Sequence, residues 1–158
     1  VPWEREAVIR DYHRQNMFLA CHPLVSVVAH PWWWMGHWRG DDGMYRAEPW
    51  LDNFDVIPRT MHDEFIAAAR EHGTAVEINV NAMVLSKAYP ESFRRRYCEY
   101  LAQIKEAGVI MTLGSDHHSS FKFYEASVAH GDAGTFVELA RMLAPVGISA
   151  LDVARLVV

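Results

Sequence analysis

The chain is predicted to be an α/β protein whose parallel strands alternate with helices, building a parallel sheet or part of a barrel. Three observations predict this. Segments with one apolar helical stripe alternate with short β-branched runs in the order α, β, α, β, α, β, α, α, the pattern that joins parallel strands by right-handed crossovers. The strand runs are apolar on consecutive residues, as in strands buried on both faces. Each run also ends in polar residues, at the carboxyl rim where parallel sheets gather their ligands.

The elements follow in order. From Glu4 to Ala20, Ala7, Val8, Tyr12, Phe18 and Leu19 make one stripe among charges, which predicts the first helix. Val25 to Ala29 is short and β-branched, follows Pro23 and runs into His30-Pro31, so it reads as a strand ending in a histidine. From Trp32 to Phe54 there is no period, while Gly36, Gly40, Gly43, Pro49, Asp41-Asp42 and five of the six tryptophans occur there. This predicts a long loop, and loops of that length in compact domains are often functional. Thr60 is expected to cap a second helix running to Glu71, with Asp63 in its first turn, Met61, Phe65, Ile66 and Ala69 facing inward, and His72-Gly73 ending it. Thr74 to Val80 is the second strand, Pro90 to Ala107 the third helix with Gly108 closing it, and Val109 to Leu113 the third strand. A helix from Thr135 to Leu143 precedes Pro145 and Gly147, and Ser149 is expected to cap a terminal one. Three strands make a thin sheet, and no internal repeat is present.

A length of 158 residues, 51% of them hydrophobic and 22% charged, fits a single domain with a real core. The net charge of −5 argues against nucleic-acid binding, and Arg94-Arg95-Arg96 is expected to be a solvated helix face. Cys21 and Cys98 are too few for a disulfide framework, so a reducing, cytoplasmic setting is expected. No apolar run reaches the roughly 20 residues that span a bilayer, and no signal-peptide pattern is present. Beginning on Val1 and entering a helix pattern at once, the sequence is expected to be a fragment of a longer protein.

Three strand ends carry the chemistry: His30; Glu77 with Asn79; and Asp116 with His118. Asp116 and His118, two apart in an extended segment, project to the same side. Imidazole and carboxylate suit zinc, manganese or iron, and several such groups could hold two or more ions that polarise a phosphoryl oxygen and acidify a bound water. The competing reading of these residues is a loop with a capping Asp, solvated histidines and a core histidine bonded to a backbone carbonyl.

In these residues the chain resembles the second half of a PHP (polymerase and histidinol phosphatase) domain. Val27-Val28-Ala29-His30-Pro31 resembles that family's strand ending in His-Pro. Ala75-Val76-Glu77-Ile78-Asn79 resembles its Leu-Glu-Ile-Asn strand, and Leu113-Gly114-Ser115-Asp116-His117-His118 its Gly-Ser-Asp-x-His strand. The resemblance covers essentially the whole chain, with the three motifs in order. It implies a single domain over residues 1–158, part of a distorted (β/α)7 TIM-like barrel, that hydrolyses a small phosphorylated substrate with a multinuclear divalent metal site. By the resemblance, His30, Asp116 and His118 are metal ligands, while Glu77 and Asn79 support the rim. The family's first half, with an early His-x-His pair, further histidines and a bridging glutamate, has no counterpart here, which implies a missing N-terminal segment, a homodimer, or substitution by other histidines of this chain.

Glu77 and His37 are the candidates for proton transfer, and Arg39, Asn79 and Trp33 for substrate contact. The run from Trp32 to Trp38 could wall a pocket by stacking or could simply cover apolar surface. His117 falls at the family's variable position and is expected beside the ligands or exposed. His13, His62, His72 and His130 are expected to be surface residues. Two other functions fit the same residues: a metal-dependent amide or lactone hydrolase on a related barrel, and a truncated, non-catalytic module that self-associates through Trp33 and Trp34.

Overall fold

The computed structural model describes residues 4–33, 38–39, 45–46, 53–87, 89–115, 133–149 and 152. Helix α1 (Arg5–Cys21) leads into β1 (Val27–Val28), and a small antiparallel pair follows, β2 (Trp38–Arg39) and β3 (Tyr45–Arg46). A 3-10 turn (Phe54–Val56) enters α2 (Arg59–His72), then β4 (Ala75–Asn79), a π-helical turn (Val80–Val84), α3 (Glu91–Glu106), β5 (Met111–Gly114), α4 (Ala133–Leu143) and a 3-10 turn (Ala144–Val146).

The helices form where the apolar stripes predict them, but α1 presents another face than expected: it buries Val8, Ile9, Asn16 and Ala20, while Phe18 (64% exposed) and Leu19 of its expected stripe are exposed. Helix α2 buries Phe65, Ile66, Ala68 and Ala69 and ends at Gly73, whose φ of 68° closes the helix through N–H bonds to Ala69 and Arg70 carbonyls. A side chain there would be strained, which is why glycine holds this position. Helix α3 buries Phe93, Tyr97, Cys98, Tyr100, Leu101 and Ile104 on one side. Ser149 caps as predicted: it accepts the Asp152 N–H at 3.1 Å on Oγ, while the Asp152 carboxylate accepts the Ser149 N–H at 2.8 Å and Lys105 Nζ at 2.8 Å. These bonds hold the Asp152 carboxyl well below the usual carboxylate range.

Strands β1, β4 and β5 form a parallel sheet in the order β1-β4-β5. The register pairs Val28 with Val76, Val76 with Met111 and Ile78 with Leu113, so these residues share the face that packs into the core. The opposite face pairs Val27 with Ala75, Glu77 with Thr112 and Asn79 with Gly114. That face is polar at the carboxyl end of the strands, and Val27 at its other end is 41% exposed. Among the described residues the sheet is open and three-stranded; no closed barrel is formed.

Several expectations are corrected. Thr60 lies inside α2 rather than capping it: Pro58 is the capping residue, accepts the Met61 N–H at 2.9 Å and offers no side-chain bond. The segment expected to be a long loop contains the β2–β3 pair. Arg94, expected on a solvated face, is half-buried with its Nε inside the protein, whereas Arg96 is exposed and pairs with Asp55 at 3.3 Å and Glu99 at 2.7 Å.

The largest correction concerns His62, expected at the surface and in fact only 8% exposed. It is stacked on Phe54 (5.0 Å between ring centres), tilted against Tyr100 (4.4 Å) and edge-on to Trp32 (5.7 Å). His13 is half-buried, stacked on Trp32 at 6.4 Å, and donates from Nε2 to Glu64 at 2.7 Å. His72 is exposed as expected, and His130 lies outside the described residues.

Candidate functional rim

The carboxyl ends of β1, β4 and β5 meet at one rim, and a single carboxylate organises it. Glu77 projects from the middle of β4. Its Oε2 accepts the backbone N–H of His30 at 3.0 Å and the Asn79 amide at 3.0 Å. On the other side Oε1 lies so close to Gly114 that a Cβ there would collide with it, and would stand 2.5 Å from Cδ and 3.1 Å from Cγ. Glycine at 114 is therefore required by close approach. A part-buried carboxylate that accepts two N–H bonds is compensated for its lost hydration.

Just beyond β1 the backbone is strained at two residues. His30 has a φ of 31° and Trp32 a φ of 66°, a region that costs residues with side chains roughly 1 to 3 kcal/mol each. Three contacts hold the turn. Glu77 holds the His30 N–H, the Trp33 N–H donates to the His30 carbonyl at 2.9 Å, and the Trp32 ring is buried to 2% exposure between His13 and His62. Strain that the surroundings over-determine in this way is found where a side chain must be presented in one orientation. The side chain presented is that of His30, half-buried, with the half-buried Trp33 ring tilted against it at 4.8 Å.

After β4 the chain makes a π-helical turn instead of an α-turn, closed by the Leu85 N–H donating to the Val80 carbonyl at 2.8 Å. Asn79 starts it: its Oδ1 accepts the Ala82 N–H at 2.8 Å while its amide holds Glu77. The turn brings Asn81 Nδ2 to the Ser115 carbonyl at 2.6 Å, at the first residue after β5. Single-turn π segments recur at functional sites because they re-aim side chains. Asn81 had no signal in the sequence beyond its place two residues after Asn79.

The structure thus brings His30, Trp33, Glu77 and Asn79 together. Asp116, His117, His118, His37 and Trp34 lie outside the described residues, and of Arg39 the backbone alone is described, in β2. Among the described residues no group of three His, Cys, Asp or Glu side chains stands close enough to hold a metal ion. Nor, among them, is any helix long and apolar enough to cross a membrane. No family model, curated protein or solved structure matches the chain.

Proposed function

We propose that this chain carries the metal-dependent phosphoesterase site of a PHP-type domain, on part of a distorted (β/α)7 barrel. The observation that carries this reading is the convergence of the His30 turn, the Glu77 and Asn79 pair and the Gly114-Ser115 exit at one rim of parallel strands. The sequential strand order β1-β4-β5, with α2 and α3 in the connections, is also the order found in a section of a (β/α) barrel.

His30, Asp116 and His118 would hold the ions, a donor set of two imidazoles and a carboxylate that suits zinc, manganese or iron. Of this donor set the structure describes His30, half-buried at the rim with its backbone N–H held by Glu77. Divalent ions supply Lewis acidity, drawing charge from a phosphoryl oxygen and lowering the pKa of an attacking water. The chain's own residues do the positioning. Glu77 fixes the backbone from which His30 projects, and its two accepted bonds make it a support rather than a free base. Trp33, beside His30, provides an apolar wall for the group that carries the phosphate, and Arg39 is the candidate cation for its oxygens.

The test is hydrolysis of p-nitrophenyl phosphate with Mn²⁺ or Zn²⁺ by wild type and His30→Ala. The wild type should turn over in a chelator-sensitive way and the variant should lose roughly 100-fold or more, with its far-UV circular dichroism unchanged. Undiminished turnover in the variant would overturn the assignment of His30. Faster turnover of p-nitrophenyl acetate or a lactone than of the phosphate would favour the amide or lactone hydrolase.

A further inference from the structure

Three elements converge on a partly enclosed cavity of about 320 Å³, and none of His30, Trp33, Glu77 and Asn79 lines it. Helical spacing builds two of its walls. Arg59 and His62, three apart, share one face of α2, while Arg96, Glu99 and Gln103 share one face of α3. The 3-10 turn before α2 closes the third side with Phe54 and Asp55.

The charges around this cavity are not equivalent. Arg96 is held by Asp55 at 3.3 Å and Glu99 at 2.7 Å, so these three groups satisfy one another. Arg59 is not held in that way: its Nε stands 3.8 Å from Asp63, beyond hydrogen-bond distance, and its side chain is 77% exposed. It is also the first residue of α2, whose cap Pro58 offers no side-chain bond and whose first turn has no acidic residue. The cation and the positive end of the helix therefore coincide at one edge of the cavity. Inside, His62 is only 8% exposed and stacks on Phe54, and among the described residues its Nδ1 has no hydrogen-bond partner. Buried polar atoms without a partner are rare and call for an explanation. Burial also pushes the imidazole pKa down to about 4, so near pH 7 the ring is neutral, with one donor and one acceptor nitrogen.

We propose that this cavity binds a small planar aromatic carboxylate, its carboxylate on Arg59 and the N–H groups that begin α2, and its ring beside His62. The volume is at the small end for ligand sites and admits about one ring. Asp55 and Glu99 at the mouth would repel a second negative charge, which favours a carboxylate over a phosphate dianion.

The experiment titrates benzoate into the ¹⁵N-labelled full chain near pH 7 and follows the assigned amide shifts, for wild type, Arg59→Gln and Arg70→Gln. Acetate and benzamide are titrated into the wild type beside it. Benzoate should bind saturably, with shifts concentrated over residues 54–62 and 96–103. Arg59→Gln should weaken it about 10-fold or more, the value of one hydrogen-bonded charge pair. Arg70, exposed in the last turn of the same helix, should be replaceable without effect. Acetate lacks the ring and benzamide the charge, and each should bind about 10-fold more weakly or worse. No saturable shifts over these segments would overturn the proposal, and so would equal weakening by the two arginine variants. Acetate binding as tightly as benzoate would mark a plain anion site, and benzamide doing so a plain apolar one; either result overturns it as well.

Discussion

Gly114→Ala is expected to destabilise the protein by about 3 to 6 kcal/mol and to loosen the His30 turn, although the substitution adds one methyl group at a strand end. The added Cβ would occupy the space of Glu77 Oε1, so the carboxylate must swing away. Oε2 cannot stay behind, and its bonds to the His30 N–H and the Asn79 amide break together. Hydrogen bonds to a charged group are worth roughly 1.5 to 3 kcal/mol each, which gives the expected range. For a chain of 158 residues, at roughly 2 to 4 °C per kcal/mol, that is a fall in Tm on the order of 10 °C. The mechanism is separable from a general intolerance of side chains at 114. In a Glu77→Ala background the obstructing carboxylate is gone, so Gly114→Ala should cost little more, and the two substitutions should be strongly non-additive. Additive losses of stability in the double mutant would sink the explanation.

The second large effect is on pH dependence. Burial among Phe54, Trp32 and Tyr100 pushes the His62 imidazole down to about 4, with His13 and Arg59 lowering it further and Asp63 opposing them. The folded pKa lies below the usual 6.5, so between about pH 6.5 and 4 the unfolded chain binds a proton that the folded chain refuses. Stability contributed by neutral His62 is thus fully present above about pH 6.5 and is lost as the pH falls toward 4, a change of roughly 3 kcal/mol. Urea unfolding of wild type and His62→Phe at pH 7.5 and pH 4.5 measures it. The wild type should lose about 2.5 kcal/mol more than the variant between the two pH values. Equal losses would mean that His62 is not the group responsible.

Much of this architecture was legible in the residues. The helices α2 and α3 follow from apolar stripes with Gly73 and Pro90 at their ends, and the strands from β-branched runs. The rim followed from where those runs stop, since parallel strands gather polar residues at their carboxyl ends, although Glu77 sits in the middle of β4. What was not legible depended on contacts between distant segments. His62 is seven residues before Ala69 and four before Ile66, so it lies on the buried stripe of α2, and that spacing could have signalled its burial. Its polarity argued the other way, and the rings that enclose it come from three separate segments. Gly114 reads as an ordinary strand glycine until the Glu77 side chain is placed against it. The π-helical turn has no periodic signature in five residues, so Asn81 could not be singled out. The strain at His30 and Trp32 is likewise invisible in a sequence, because a bulky Trp rarely takes a positive φ and a single His, though more tolerant of it, does so too seldom to signal it.

The central claim is that this rim binds divalent metal through His30. It is tested most directly by elemental analysis of protein purified without added metal, wild type beside His30→Ala, before and after dialysis against Zn²⁺ or Mn²⁺. Near-stoichiometric metal in the wild type, falling in the variant while its Tm in chelator is unchanged, is the result predicted. A wild type that neither retains nor takes up metal, or a variant that holds as much as the wild type, would contradict it.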